Sequence, residues 1–230
     1  MSDKVTVVIT SCNRPNELKK TLHSFFKYNT YPIQKIIIID DSGKKQCIDD
    51  SIEEIPTDIE RLIIYNDKNI GQIKSIDKAY SHVDTEYIFH CEDDWEFYVH
   101  GFIEKSMNIL KIDNKIFTVW LREYRNLKVV RNGHLILPDI YHNTYRKVGI
   151  TRERTNIWNG FTFNPGLRRT KDYKLLAPYS KYIGSKDCNC GGVEQALSRL
   201  YYTEGFYSTI THEQGYVKHI GWDNPTIRNY

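Results

Sequence analysis

The chain has 230 residues, 40% hydrophobic and 27% charged, proportions of an ordinary globular protein that exclude disorder and collagen-like repeats. Lys and Arg total 32 against 29 Asp and Glu, a net charge of +3, too near neutral for the strongly basic face of a dedicated nucleic-acid binder. Mean hydropathy is −0.55, and no apolar run approaches the ~18 residues of a membrane-spanning helix. Met1-Ser2-Asp3-Lys4-Val5 leads straight into strand-like sequence without a signal-peptide core. The five cysteines, Cys12, Cys47, Cys91, Cys188 and Cys190, are odd in number and scattered. That usage fits a reducing compartment, hence an expected cytoplasmic location, rather than a disulfide scaffold.

Residues 5–10 form a continuous β-branched run, the pattern of a strand buried on both faces. Pro15 then stands at a helix-opening position, and Leu18, Leu22, Phe25 and Phe26 make one apolar stripe. Residues 36–39 predict a second buried strand, 47–54 a short helix, and 62–65 a third strand. Ile73, Ile76 and Tyr80 predict another helix, and residues 86–90 a fourth strand. Strands and helices alternating through short connections imply a parallel sheet with helices on its faces. Past residue 112 the pattern loosens. Helices are expected over 102–110 and 194–202, a strand over 116–121, and short strands around 128–130, 134–137, 157–163, 206–210 and 216–220. The expected architecture is an α/β single domain over 1–230. Its first half (1–112) carries a mostly parallel Rossmann-like sheet flanked by helices. Its second half (113–230) is mixed and less regular, and the two share one continuous sheet.

Ligands of open parallel sheets bind beyond the carboxyl ends of the strands. Polar or acidic residues follow each of the first four predicted strands: Thr10-Ser11-Cys12-Asn13-Arg14, Asp40-Asp41-Ser42-Gly43, Asn66-Asp67 with Asn69-Ile70-Gly71, and Glu92-Asp93-Asp94. One such end alone would be a turn or cap; all of them together mark a binding edge. The chain has no G-x-G-x-x-G, no P-loop and no G-x-S-x-G elbow, so dinucleotide, P-loop and α/β-hydrolase chemistry are disfavoured. A phosphate-bearing ligand would then need its charge offset by a carboxylate-held cation. Adjacent carboxylates repel, so Glu92-Asp93-Asp94 reads either as a site for Mg²⁺ or Mn²⁺ or as a solvated turn capping the next helix.

The run Val7-Val8-Ile9-Thr10-Ser11-Cys12-Asn13-Arg14-Pro15 resembles the opening of glycosyltransferase family 2, whose members have the GT-A fold. Ile38-Ile39-Asp40-Asp41-Ser42 and Asn69-Ile70-Gly71-Gln72 are similar to later motifs of that family, and Glu92-Asp93-Asp94-Trp95 stands in place of its D-x-D motif. The resemblance implies a nucleotide-sugar site. In it Asp41 reads the base, with Thr10, Asn13 and Arg14 lining the same pocket and Asn69 and Gly71 beside it. Glu92 and Asp93 would lie near ribose and diphosphate, and Asp94 would be the main metal ligand. Because the motif reads E-D-D, Asp93 stays an alternative ligand. Lys74 is a phosphate contact or an exposed helix lysine.

Inverting sugar transfer needs a base for the acceptor hydroxyl and help for the departing diphosphate. Gly191-Gly192-Val193-Glu194 resembles the acidic helix start that carries the base in such enzymes. The resemblance therefore implies Glu194 as general base, although a first-turn glutamate also simply complements a helix dipole. Asp187, in a loop-like stretch, is the fallback. His219-Ile220-Gly221 resembles the family's late metal-binding histidine, and mixed His and carboxylate ligation suits Mn²⁺. Trp95, Trp158 and Asn159 are candidate acceptor contacts, whereas Phe161 and Phe163 read as core. Asn164-Pro165-Gly166-Leu167-Arg168-Arg169 also resembles family members, with Arg168 or Arg169 meeting a phosphate or lying in solvent. The implied activity is metal-dependent inverting transfer from a nucleoside-diphosphate sugar, a UDP-sugar favoured, to a carbohydrate or glycoconjugate hydroxyl. The cofactor would be Mn²⁺ or Mg²⁺, with no nucleic-acid partner and no membrane span. A nucleotidyltransferase and a non-catalytic carbohydrate-binding protein on the same fold are the alternatives.

Overall fold

The computed structural model describes residues 3–123, 136–137, 146–148, 151–153, 156–158, 160–184, 192–210 and 214–221, the pieces between 136 and 158 by backbone alone. The parallel strands β1 (Val5–Ser11), β2 (Lys35–Asp40), β3 (Glu60–Tyr65) and β4 (Tyr87–Glu92) lie in the order β4-β1-β2-β3. Side chains alternate across the sheet. Val5, Val7, Ile9, Ile36, Ile38 and Phe89 therefore enter one core, while Val8, Ile37, Ile39 and Ile88 enter the other. α1 (Pro15–Tyr28) covers the first face with Leu18, Leu22 and Phe25, and the single turn α2 (Asp49–Ile52) lies beside it. α3 (Gln72–Tyr80) covers the second face with Ile76, Ala79 and Tyr80. The two faces explain the all-apolar strand sequences. Truncating one such buried Ile or Leu to alanine costs about 2–5 kcal/mol.

The chain winds outward from β1 to β3 and then returns to the far side of β1 as β4. The carboxyl ends of β1 and β4 are thus the topological switch point, where a crevice opens.

The second half continues with β5 (Trp95–Phe97), α4 (Phe102–Ile112), β6 (Ile116–Trp120), β7 (Ile136–Leu137), β8 (Arg146–Val148), β9 (Thr151–Glu153) and β10 (Asn156–Trp158). β11 (Gly166–Arg169), α5 (Thr170–Leu176), a 3₁₀ turn (Tyr179–Tyr182), α6 (Gly192–Thr203), β12 (Tyr207–Ile210) and β13 (Val217–His219) follow. The expected single continuous sheet does not form among the described residues. Among the described residues, β11 alone of these strands joins the central sheet, antiparallel to β4. A second sheet has the order β6-β12-β8-β7, β5 pairs with β13, and β9 with β10. The two main sheets meet at Gly166, where a Cβ would lie 2.9 Å from the Val119 carbonyl oxygen and 3.0 Å from Thr118 Oγ1. Of the strand expected over 157–163, β10 covers the start. Phe161 and Phe163 lie in a loop, and their rings fill the second core. The strand expected around 128–130 lies outside the described residues. Among the described residues no helix is long and apolar enough to cross a membrane.

Candidate active site

The acid cluster sits at the switch point. Ser11 Oγ and Cys12 N, at the end of β1, donate to Asp93 Oδ2 at 3.0 and 3.3 Å. Thr21 Oγ1 on α1 donates to the Asp93 carbonyl at 2.7 Å and accepts from Trp95 N at 3.1 Å, fixing the turn after β4. Arg14, just before α1, sets Nη1 3.3 Å from Asp93 Oδ1 and 2.8 Å from Asp94 Oδ2. The short β5–β13 ladder puts His219 opposite Trp95, which brings its Nε2 3.0 Å from Asp94 Oδ2. Ile220 N closes the corner on the Asp94 carbonyl at 2.8 Å.

Both Asp93 oxygens are therefore engaged by protein groups. Asp94 differs: Oδ2 serves Arg14 and His219, while Oδ1 is buried with no partner among the described residues. A buried carboxylate oxygen without a donor is costly unless something binds it. Burial pushes the Asp94 carboxyl up, but the bonds from His219 and Arg14 outweigh this and hold it below the ordinary range. Glu92 behaves oppositely. Burial, then the Asp94 charge and that of Glu194, raise it to about 8, although Gln72 Nε2 at 2.7 Å and Trp95 Nε1 at 3.2 Å donate to it. Burial likewise raises Asp93 to about 7 against the pull of Arg14. Burial and mutual repulsion thus raise Glu92 and Asp93, while Asp94, bonded to His219 and Arg14, is held low.

The donor set of one carboxylate oxygen and one imidazole fits Mn²⁺ or a similar divalent ion. A Cβ on Gly221 would collide with Asp94 Oδ2 and Arg14 Nη2, so glycine keeps this corner open. Among the described residues no group of three or more His, Cys, Asp and Glu forms a self-sufficient metal cage.

The remaining donor-edge residues line the ends of β1 to β3. Thr10 is buried within β1. Asn13 adopts a left-handed φ of 56°; its N donates to Asp40 Oδ2 at 3.1 Å and its Oδ1 accepts from Lys44 Nζ at 3.0 Å. Asp41 is a loop latch: Oδ1 accepts from Asn66 Nδ2 at 2.7 Å and Ile70 N at 2.8 Å, and Oδ2 from Gly71 N at 2.8 Å. These bonds hold the segment containing Asn69, whose Nδ2 reaches Cys12 Sγ at 3.5 Å, beside the crevice. Gly71 takes φ 89° at the start of α3, a value glycine adopts freely. Lys74 is exposed on α3.

Glu194 lies in the first turn of α6, with Oε1 accepting from Phe163 N at 2.8 Å. Ser198, one turn on, accepts from Phe161 N at 3.1 Å, so the helix and the 160–164 loop are stitched together. The charge of Glu194 acts on Glu92, which brings the candidate base within electrostatic reach of the acid cluster. Asp187 and Asn159 lie outside the described residues, and for Trp158 only the backbone in β10 is placed.

Two expectations need correction. Trp95 is 1% exposed, its ring edge-on to His219 and beneath Arg122. It is enclosed as a post supporting the acids, not presented as a platform for a sugar. Arg168 and Arg169 are neither solvated nor at the phosphate edge. Arg169 is buried on the backbone carbonyls of Leu110, Asp113, Asn114 and Ile116 and on Asp172. Arg168 is buried on the Thr162 carbonyl and over Phe161.

Sequence reasoning missed Thr21 and Arg122, and it placed Ser11, Asp40 and Gln72 at the binding edge without giving them a role. Asp40, the first acid of the Asp40-Asp41 pair, accepts from Ser42 N at 2.9 Å and shapes the turn. Arg122 follows β6 and acts electrostatically on Glu92; a lone arginine after a strand gave no signal.

Glycosyl transferase family 2 matches residues 6–176. No curated protein matches the sequence significantly. Among solved structures, the chain is similar to the mannosyltransferase PcManGT from Pyrobaculum calidifontis in complex with GDP-Man and Mn²⁺, at 12% identity and a TM-score of 0.65, over 92% of this chain and 55% of that one. GalNAc-T7 with UDP, GalNAc and Mn²⁺ matches at 14% identity and a TM-score of 0.64, over 94% of this chain and 44% of that one. TarS of S. aureus matches at 14% identity and a TM-score of 0.58, over 93% of this chain and 36% of that one. The chain therefore spans about half the length of such structures or less, and their GT-A fold is the one described above. With the family match covering most of its length, the chain belongs to glycosyl transferase family 2.

Proposed function

We propose that the protein is a metal-dependent inverting glycosyltransferase that takes a sugar from a nucleoside-diphosphate sugar, a UDP-sugar favoured, to a carbohydrate or glycoconjugate hydroxyl. The observation that carries this reading is the buried Asp94 Oδ1, without a partner among the described residues, beside His219 at the switch point of a family 2 fold. Asp94 and His219 would hold the divalent ion, which supplies a Lewis acid for charge developing on the departing diphosphate. Other ligands would come from the diphosphate and water. Similar structures that contain Mn²⁺ with a nucleotide or nucleotide sugar favour this choice.

This chain's residues divide the remaining work. Arg14, already beside Asp93 and Asp94, adds fixed positive charge where a diphosphate would lie. Asp41 holds the Asn66–Gly71 side of the nucleotide pocket, and Thr10, Asn13 and Asn69 line it. Glu92, held by Gln72 and Trp95, and Asp93 lie near the ribose and diphosphate. Glu194 accepts the acceptor hydroxyl proton as that oxygen bonds to the anomeric carbon and the carbon–oxygen bond to the diphosphate breaks. The electron pair of that bond leaves with the nucleoside diphosphate.

The test is a panel of nucleotide sugars incubated with Mn²⁺ and glycan acceptors. Release of nucleoside diphosphate with a product of inverted anomeric configuration is expected. Pyrophosphate release would indicate a nucleotidyltransferase, and metal-independent glycan binding without donor turnover a non-catalytic binder; either overturns the proposal.

A further inference from the structure

Arg168 is 2% exposed, yet no carboxylate pairs with it among the described residues. Its bond is Nη2 to the Thr162 carbonyl at 3.2 Å, its guanidinium lies over the Phe161 ring at 5.6 Å, and Nε and Nη1 have no partner among the described residues. A buried cation so poorly compensated is expensive and calls for a counter-charge. The geometry supplies one indirectly. The Thr162 carbonyl and the Phe163 N–H belong to the same peptide group, and that N–H donates to Glu194 Oε1 at 2.8 Å. One peptide therefore links a guanidinium at its oxygen to a carboxylate at its nitrogen. Each bond polarises the other in the sense that strengthens both.

The fold makes the relay rigid. Arg168 lies opposite Ile88 in the β11–β4 register, on the same face as His90 two residues on. The loop is pinned further where Phe161 N donates to Ser198 Oγ, and where Trp120 Nε1 and Ser208 Oγ donate to the Gly160 carbonyl.

We propose that Arg168 is the positioning residue for Glu194, fixing the orientation and ionised state of its carboxylate through the Thr162–Phe163 peptide. This rests on the reading of Glu194 as the base, but its test does not. Among the described residues, the other ionisable groups around the relay include Glu92 and His90 on β4, Tyr80 on α3, Tyr179 on the 3₁₀ turn and Tyr201 on α6. Burial holds the phenols protonated and His90 neutral near pH 7, so of these groups Glu92, whose charge couples to Glu194, is the one able to imitate the effect.

The experiment is a ¹³C NMR titration of the intact chain labelled at glutamate side-chain carboxyls, with Glu194 assigned by its loss in Glu194→Gln. Glu194 should titrate at higher pH in Arg168→Met than in wild type, return towards wild type in Arg168→Lys, and retain its dependence on Arg168 in the Glu92→Gln background. An unchanged midpoint in folded Arg168→Met overturns the proposal. If that variant does not fold, Arg168→Gln, which keeps a donor for Thr162 but no charge, must give the upward shift. With the donor found by the nucleotide-sugar panel, Arg168→Met should lower kcat about 10–100-fold at unchanged donor KM, and Glu194→Gln should abolish that sensitivity. Normal transfer by Glu194→Gln would defeat the base reading while the NMR shift still decides the coupling.

Discussion

Replacing Glu194 by glutamine separates chemistry from structure. The amide oxygen of Gln can keep the bond that Oε1 now accepts from Phe163 N at 2.8 Å. From that bond the charge-assisted part is lost, roughly 1 kcal/mol, and relief of repulsion with Glu92 offsets some of it. The variant should therefore stay within about 1 kcal/mol of wild type in urea denaturation. Transfer should fall about 10²–10⁴-fold, which at 1.36 kcal/mol per tenfold is about 2.7–5.4 kcal/mol of lost transition-state stabilisation. The assay is nucleoside-diphosphate release at saturating donor and acceptor, with donor KM recorded alongside. A kcat within about tenfold of wild type would refute the assignment of Glu194 as base, whatever the stability result.

Three further outcomes follow from the same geometry. Asp41→Ala removes the acceptor for Asn66 Nδ2, Ile70 N and Gly71 N and should cost about 2–4 kcal/mol in urea denaturation; an unchanged midpoint would mean the latch is idle. Gly221→Ala drives a methyl into Asp94 and Arg14, so Mn²⁺-dependent nucleotide binding should fall at least about tenfold while circular dichroism stays native. Glu92 gives the metal-free protein a pH dependence. Its folded pKa of about 8 lies above the ordinary 4.5, so the folded state binds more protons between these values. Its stabilising contribution is full below about 4.5 and is lost as pH rises through about 8. In chelator, the stability difference between wild type and Glu92→Gln should therefore move against wild type from pH ~5 to ~9; a constant difference would contradict the raised pKa.

The first half of the fold was legible because strands buried on both faces leave unbroken runs such as Ile36–Ile39, and because helix stripes such as Leu18, Leu22 and Phe25 alternate with them. The polar strand ends followed from that order. The second half was less legible because short strands do not announce their partners. The sequence offered His219 as a candidate, but the β5–β13 ladder that carries it to Asp94 comprises two three-residue strands. Arg168 and Arg169 read as a phosphate contact or as solvated surface, because adjacent arginines are usually exposed. Their burial depends on β11 being an inner-facing strand whose neighbours supply carbonyls, which spacing does not encode. Asp41 shows the reverse limit: the residue was visible as a site candidate, but its latch bonds depend on a loop some 25 to 30 residues away.

The most direct test of the central claim, a cation-assisted nucleotide-sugar site at Asp94, is calorimetric titration of UDP and GDP into wild type and Asp94→Asn, with Mn²⁺ and then with chelator. The account predicts binding of one nucleotide that requires Mn²⁺ and is lost in Asp94→Asn while the fold persists. Nucleotide binding of equal strength in chelator, or in Asp94→Asn with Mn²⁺, would contradict it.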